Sequence, residues 1–169
     1  IVLAMSDPVI RTTVVGSYPV PTWLATQPSK PNLRDAILTV LKTQELAGLD
    51  VVADGELSRF NISHPETNGM IDYFIAPMSG IDTTLSREEL VAFRAQERTT
   101  FRAQPAGVVR DSIGEGLLNL PADWGSVKNL GARPMKFTVT SPYMLAKTLL
   151  DTKYNDLPAL TMDIAKVLQ

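Results

Sequence analysis

Short apolar runs alternate with a helical pattern along the first third of the chain. Residues 12–15 are β-branched, which predicts a short strand that stops at Gly16. The next periodic stretch predicts a helix that Asn32 caps at its start and Gly48 at its end. The apolar residues of this helix are Leu33, Ala36, Ile37, Val40, Leu41 and Ala47. Residues 49–53 are a second apolar run, so the pattern predicts a strand, helix, strand unit.

The middle of the chain has a weaker pattern. Residues 60–104 are typical of an insertion, or of a long loop that carries one helix. Ser86 and Glu89 have the spacing of a capping box, which predicts that this helix begins there and ends near residue 97. Residues 105–110 are apolar and predict a third strand.

The last third of the chain returns to a clear alternation of strand and helix. Residues 134–140 predict a fourth strand. Ser141 is a good N-cap and Pro142 suits the first helical position, so a helix is expected directly after this strand. The residues along this helix are Met144, Leu145, Thr148 and Leu149. A final helix is predicted over residues 158–168.

Strands that alternate with helices predict an α/β fold with parallel strands and crossover helices. Polar residues follow the strands, so a site is expected at the carboxyl edge of the sheet. Neither a GxGxxG nor a P-loop pattern occurs, which disfavours nucleotide-binding folds. A (βα)8 TIM barrel needs roughly 250 residues, and 169 residues hold about four of its units. We therefore predict half a barrel over residues 11–169, with an insertion between the second and third strands, after a disordered or tag-like segment at residues 1–10.

Charge and composition exclude several classes of protein. Sixteen Lys and Arg against 18 Asp and Glu give a formal charge of -2, which is too weakly basic for binding to nucleic acid or an anionic membrane. The chain has no Cys and one His, so it offers no disulfide and no thiolate metal site. No apolar run approaches the roughly 20 residues that span a bilayer, and the residues before Met5 are too few for a signal peptide. A cytoplasmic protein is expected.

Three strand ends carry candidate binding groups. Gly16 lets a ligand approach the backbone, and Ser17 with nearby N–H groups can hold a carboxylate, although an ordinary turn is the alternative. Glu56 suits recognition of a substrate ammonium group, or it is a loop carboxylate paired with Arg59. Ser141 begins a helix whose free N–H groups could bind a carboxylate or phosphate, or it is a routine N-cap.

Two further polar residues have open roles. Asp54 either shares the site of Glu56 or caps the turn after the second strand. His64 lies in a loop and is either a surface residue or a catalytic one. None of these residues is assigned a catalytic role.

Three motifs in the same order, each at the end of a strand, carry a resemblance to a known family. They are residues 14–19 (VVGSYP), residues 44–56 (QELAGLDVVADGE) followed by Arg59, and residues 136–144 (KFTVTSPYM). These motifs resemble the catalytic barrel of cobalamin-independent methionine synthase and its shorter relatives. The resemblance covers nearly the whole chain, but only the amino-terminal half of the family's barrel.

The resemblance implies an activity and a binding role for several residues. In the family, a zinc-activated homocysteine thiolate takes a methyl group from a methyltetrahydrofolate, which is the co-substrate expected here. The family's pattern implies that Val15, Gly16 and Ser17 contact the amino-acid substrate and that Glu56 binds its ammonium group. Arg59 is expected to orient Glu56.

The zinc site of the family lies in the other half of the barrel. Its ligands are a His, two Cys and a carboxylate, all beyond the region that this sequence matches. Zinc is therefore expected in the complete enzyme but not bound by this chain. The resemblance also implies a partner, because the chain should pair with a second half-barrel chain or, failing that, with another copy of itself.

Two other functions compete with a methionine-synthase-like component. The family places a folate-stacking aromatic residue near the start of the helix after the last motif, where this chain has Ala146, Lys147 and Thr148, so a shorter, divergent relative is favoured. An epoxyalkane to coenzyme M transferase resembles the same barrel, but its thiol sulfonate has no ammonium group for Glu56. The other alternative is a non-catalytic half-barrel subunit or a truncated fragment.

Overall fold

The computed structural model describes residues 10–96 and 101–169, so the predicted disordered or tag-like segment lies almost entirely outside the described residues. The chain divides into two compact units. The first comprises the described part of Ile1–Pro65 together with Ala122–Thr138, and the second comprises Val139–Gln169 and the described part of Glu66–Pro121. Each unit is therefore built from two stretches that are separated in sequence.

Helices and strands alternate along much of the described chain. The helices are α1 (Thr22–Thr26), α2 (Lys30–Leu46), α3 (Asp72–Ile75), α4 (Arg87–Arg94), α5 (Leu120–Val127), α6 (Pro142–Lys147) and α7 (Leu157–Val167). The strands are β1 (Val52–Ala53), β2 (Ser79–Asp82), β3 (Gly107–Gly114), β4 (Met135–Lys136) and β5 (Leu149–Asp151). A 3-10 turn, Leu57–Arg59, follows β1.

Helix α2 provides the buried face of the first unit. Its predicted N-cap, Asn32, is wrong, because the cap is Ser29, whose hydroxyl accepts the N–H of Asn32 at 3.2 Å. Pro31 then lies in the first turn, where its missing N–H costs no hydrogen bond. Gly48 follows the helix with φ of +79°, the left-handed conformation of a terminal glycine. The residues buried along the helix are Ala36, Ile37, Val40, Leu41 and Gln44.

The first unit contains parallel strands. Residues of β1 pair with β4 in parallel, with Val52 opposite Met135, and Thr13 forms an isolated parallel bridge with Val51. The predicted strands are thus present but shorter than their apolar runs, and the first of them is reduced to this single bridge. The parallel α/β character predicted from the sequence is confirmed.

A buried glutamine joins α2 to β1. The side-chain amide of Gln44 donates to the carbonyl of Ala53 at 2.8 Å and accepts the N–H of Ala53 at 2.9 Å. Gln44 is 6% exposed, so these bonds are shielded from water. The pair of bonds fixes the end of β1, which leads directly into Asp54 and Glu56.

The second unit has a mixed sheet with the strand order β2, β3, β5. Strand β3 runs antiparallel to β2 and parallel to β5. The predicted third strand therefore forms, as part of β3, but it joins this second sheet and not the sheet of β1 and β4. Strand β2 lies within the predicted insertion, and it contributes the antiparallel edge of this sheet.

The bounds of three helices in the second unit differ from their predictions. The helix after Ser141 ends at Lys147, because Leu149 and Leu150 pair with β3 and are buried there as β5. The capping box of Ser86 and Glu89 is confirmed, but α4 ends at Arg94, and residue 97 lies outside the described residues. The last helix begins one residue earlier than predicted, because Asp156 caps it by accepting the N–H of Ala159.

The core of the second unit is formed by side chains from α3 and its flanking residues, α6, α7, β3 and β5. Its buried residues are Ile71, Phe74, Ile75, Met78, Val109, Leu145, Ala146, Leu149, Leu160 and Ile164.

Among the helices of residues 10–96 and 101–169, none has the length and apolar character that a membrane span requires.

Arg110 of β3 links two carboxylates, and this arrangement predicts a response to acid. Its guanidinium contacts Asp82 at 3.0 Å and Glu89 at 2.9 Å. The pKa of Glu89 lies below its ordinary value because its carboxylate accepts the N–H of Ser86 and, more weakly, pairs with Arg110. A carboxylate with a depressed folded pKa contributes stability that is present above its unfolded pKa and is lost as pH falls.

Glu89→Gln is therefore expected to flatten the acid dependence of stability. Between about pH 5 and pH 3, the variant should lose less free energy of unfolding than the unmodified chain. Urea unfolding at several pH values measures this, with Glu88→Gln, an exposed change on the same helix, as the control. Identical acid slopes for all three proteins would contradict the prediction.

Candidate functional site

The loop after β1 presents Glu56 in an unusual backbone conformation. Glu56 has φ of 60° and ψ of 14°, in the left-handed region that non-glycine residues seldom occupy. Asp54 holds the loop in place, because its carboxylate accepts the N–H of Glu56 at 3.0 Å and the N–H of Ser58 at 3.1 Å. Of the two roles that the sequence left open for Asp54, capping of this turn is the one that these hydrogen bonds support.

Three side chains hold the carboxylate of Glu56. The hydroxyl of Ser17 donates to Oε2 at 2.6 Å, and the hydroxyl of Thr138 donates to Oε1 at 3.0 Å. Nη1 of Arg59 lies 3.3 Å from Oε2. The side chain of Glu56 is 13% exposed, so the carboxylate is oriented and still reachable from solvent.

Arg59 is buried beside this carboxylate. Its Nη2 donates to the carbonyl oxygen of Thr138, and to the hydroxyl of Thr138 at 2.9 Å. The guanidinium carbon also lies 5.7 Å from the ring centre of Phe137, within the range of a cation–π contact. These contacts fit the expectation that Arg59 orients Glu56.

The charges of the cluster do not cancel. Asp54 is 3% exposed and Arg59 is 4% exposed, so both lie away from solvent with the partly buried Glu56. Two carboxylates and one guanidinium leave a net charge of -1 on these three residues. Because buried charge is stabilised by an opposite charge, this cluster is suited to a cationic group.

The loop that carries Ser17 is attached to the loop of Glu56 by backbone contacts. The N–H of Tyr18 donates to the carbonyl of Gly55 at 2.9 Å. Gly55 has φ of +69°, and a Cβ atom there would lie 2.6 Å from Cβ of Tyr18, so only glycine fits this approach. The close contact places the hydroxyl of Ser17 on the carboxylate of Glu56.

The other predicted site residues lie in different surroundings. Val15 is 90% exposed, and Gly16 is also exposed, so both lie at the open surface of the loop that carries Ser17. Ser141 belongs to the second unit, where its hydroxyl accepts the N–H of Met144 at 3.3 Å as the N-cap of the six-residue helix α6. The capping role of Ser141 is therefore seen directly, and its role in substrate binding stays a prediction.

His64 is exposed, and its backbone N–H donates to the side chain of Asn61 at 3.1 Å. Neither observation gives its imidazole a catalytic role.

Thr138 is the member of the cluster that the sequence reasoning missed. It lies in the third of the quoted motifs, two residues after β4, and therefore at the same sheet edge as Glu56. The parallel pairing of β1 with β4 brings the two residues together across 82 positions of sequence. The predicted fourth strand ran to residue 140 and so included Thr138, whereas β4 ends at Lys136 and leaves Thr138 beyond the strand.

The residues that the structure describes do not fit a zinc site. Nowhere in residues 10–96 and 101–169 do three or more His, Cys, Asp or Glu side chains come together in an arrangement that could hold a metal ion. The buried carboxylate of Asp54 is committed to backbone N–H groups, and that of Glu56 to two hydroxyls and a guanidinium.

Comparison with solved structures gives the class of the fold. A B12-independent methionine synthase from Shewanella sp. W3-18-1, in complex with selenomethionine, superposes with a TM-score of 0.67 at 23% identity. The superposition covers 93% of this chain and 45% of that chain. The fold is therefore an α/β fold with parallel strands that matches about half of a B12-independent methionine synthase.

Comparison with curated sequences gives the relatives. The chain is 28% identical over 177 residues to a methionine synthase of Sulfurisphaera tokodaii, covering 95% of this chain and 46% of that protein. It is 27% identical over 176 residues to a methionine synthase of Thermococcus kodakarensis, with 97% and 48% covered. No model of a known protein family matches the chain. The chain is a half-length relative of the methionine synthases, and it spans about half the length of the curated relatives it matches.

Proposed function

We propose that the chain is a methyltransferase component that binds homocysteine and takes part in methyl transfer from a methyltetrahydrofolate to the homocysteine thiol. In this proposal, Glu56 receives the ammonium group of the amino acid. The loop of Val15, Gly16 and Ser17 contacts the carboxylate of the amino-acid substrate. Arg59 orients Glu56. The relatives named methionine synthase support the class of reaction, and the Glu56 cluster supports the class of substrate.

The observation that carries the proposal is the held carboxylate of Glu56 in a cluster whose three charged side chains sum to -1. Ser17 and Thr138 donate to Glu56, and the cluster of Asp54, Glu56 and Arg59 keeps a charge of -1. A substrate ammonium group supplies the missing positive charge and adds a charge-assisted hydrogen bond. A thiol sulfonate has no such group, so the cluster favours an amino-acid substrate over a coenzyme M type thiol.

Activation of the thiol is assigned to another part of the complete enzyme. The zinc ion expected from the resemblance would increase the thiolate character of the bound sulfur. Because the described residues do not fit that ion, no step of the reaction is assigned to it here. The proposed contribution of this chain is binding and orientation of the amino-acid end of the substrate.

Glu56→Gln tests the proposal. The change is expected to weaken homocysteine binding by about 1.5 to 3 kcal/mol, the range for a hydrogen bond to a charged group. Calorimetric titration measures the affinity, first on the chain alone and then with a complementary half-barrel added. Glu88→Gln, an exposed change in the second unit, is the matched control and should leave the affinity unchanged.

An affinity for homocysteine that Glu56→Gln leaves intact would contradict the proposed role of Glu56. The cluster would then be a structural ion pair, and the non-catalytic alternative would gain support.

A further inference from the structure

We infer that Thr138 is a positioning residue for Glu56 and fixes the rotation of its carboxylate. The inference rests on the proposed function, in which Glu56 receives a substrate ammonium group. It concerns a contact between two residues of the first unit, the hydrogen bond of 3.0 Å from the Thr138 hydroxyl to Oε1 of Glu56.

The direction of the Thr138 hydroxyl follows from its two partners. A threonine hydroxyl has one proton and two lone pairs, a guanidinium only donates, and an ionised carboxylate only accepts. Nη2 of Arg59 lies 2.9 Å from the hydroxyl oxygen and therefore uses one of its lone pairs. The hydroxyl proton is left for the carboxylate of Glu56, so the hydrogen bonds run in one direction from Arg59 through Thr138 to Glu56.

The terminal torsion of glutamate needs this kind of restraint. Rotation of a glutamate carboxylate about its last bond is broad and roughly two-fold, so one hydrogen bond to one oxygen does not define it. In Glu56, Ser17 and Arg59 hold Oε2 while Thr138 holds Oε1. Thr138 therefore completes the restraint, because it holds the oxygen that the other two do not.

The backbone and the side chain of Glu56 are both restrained before any ligand binds. Glu56 already has a left-handed backbone, a strained conformation that persists only where the surroundings impose it. Asp54 thus holds the backbone N–H of Glu56, and Thr138 holds its side-chain carboxylate. A ligand that binds to a carboxylate held in this way does not have to order it.

Two substitutions separate the hydroxyl of Thr138 from its shape. Thr138→Val keeps the branched shape and removes the hydroxyl, whereas Thr138→Ser keeps the hydroxyl and removes the methyl group. The first readout needs no ligand: the ¹³C signal of the Glu56 carboxyl carbon, assigned by its loss in Glu56→Gln. We expect this signal to shift in Thr138→Val and to stay near its original position in Thr138→Ser. A signal that Thr138→Val leaves unchanged overturns the inference.

The second readout is homocysteine affinity in a double-mutant cycle. Thr138→Val should weaken binding about fivefold to tenfold, the effect of losing a hydrogen bond, and Thr138→Ser should restore most of it. In a Glu56→Gln background, Thr138→Val should add little further loss, because its effect passes through Glu56. Equal losses in both backgrounds would overturn the inference.

The two readouts also distinguish failure of the inference from failure of the proposed function. If the unmodified protein binds no homocysteine even with a complementary half-barrel added, the proposed function is wrong, and the carboxyl signal alone decides whether Thr138 positions Glu56.

Discussion

Gln44→Leu is expected to destabilise the chain by about 2 to 5 kcal/mol, because it leaves a buried N–H and a buried carbonyl without partners. Both of these groups belong to Ala53, and both are bonded by the Gln44 amide at 2.8 to 2.9 Å. Leucine has a similar volume but cannot replace either bond. The loss is large because Gln44 is 6% exposed, which leaves water little access to the orphaned groups.

Urea unfolding followed by circular dichroism measures this loss. Gln27→Leu is the matched control, since it makes the same chemical change at an exposed position of the first unit. Its effect should be within about 0.5 kcal/mol of zero. A loss below about 1 kcal/mol in Gln44→Leu would mean that the amide contributes little to the attachment of α2 to β1.

The same substitution should also affect the candidate site. Ala53 is the last residue of β1 and directly precedes Asp54, whose carboxylate holds the loop of Glu56. Loosening the end of β1 is therefore expected to weaken homocysteine binding even where the chain remains folded. The effect on the site would be indirect, because Gln44 bonds to the backbone of β1.

The sequence correctly predicted the features that depend on residues a few positions apart in the chain. The capping box of Ser86 and Glu89 and the left-handed Gly48 are both present, because each depends on residues a few positions apart. Ser17 and Glu56 were predicted as strand-end residues, and parallel strands bring their ends to one edge. Their hydrogen bond of 2.6 Å follows from that geometry, although their role in binding substrate stays a prediction.

The elements that the sequence did not predict depend on distant pairing. Leu149 and Leu150 extend the apolar pattern of α6, and only their pairing with β3, some 40 residues earlier, makes them a strand. Thr138 was missed because its partner Glu56 is 82 residues away and a single sequence does not specify which strands are neighbours. The pairing of the third predicted strand with β2 and β5 was not predicted for the same reason.

We also expect that the chain does not remain monomeric. Strands β2 and β5 are the outer strands of the second sheet, and exposed strand edges favour pairing with further strands. Large apolar side chains are exposed as well, with Val15 and Leu117 at 90% and Leu46 at 89%. The curated relatives are about twice as long as the region that this chain matches.

We propose that the chain pairs with a complementary half-barrel chain or, without one, with a second copy of itself. The buried interface should fall in the obligate class, about 2,000 Å² or more. Light scattering over a range of concentrations, on the chain alone and after addition of the complementary half, measures the association.

Leu46→Lys and Leu117→Lys connect this association to the exposed apolar residues. Both side chains are almost fully exposed, so a charge at either position should change the stability of the folded chain by no more than about 0.5 kcal/mol. At an interface, the same charge would be removed from water without a partner, which costs several kcal/mol. At least one of the two variants should therefore dissociate at concentrations where the unmodified chain is associated. The chain could instead be a monomer that unfolds cooperatively and does not bind the complementary half. The strands of each unit would then be stable without further pairing, and the half-barrel assembly proposed here would be wrong.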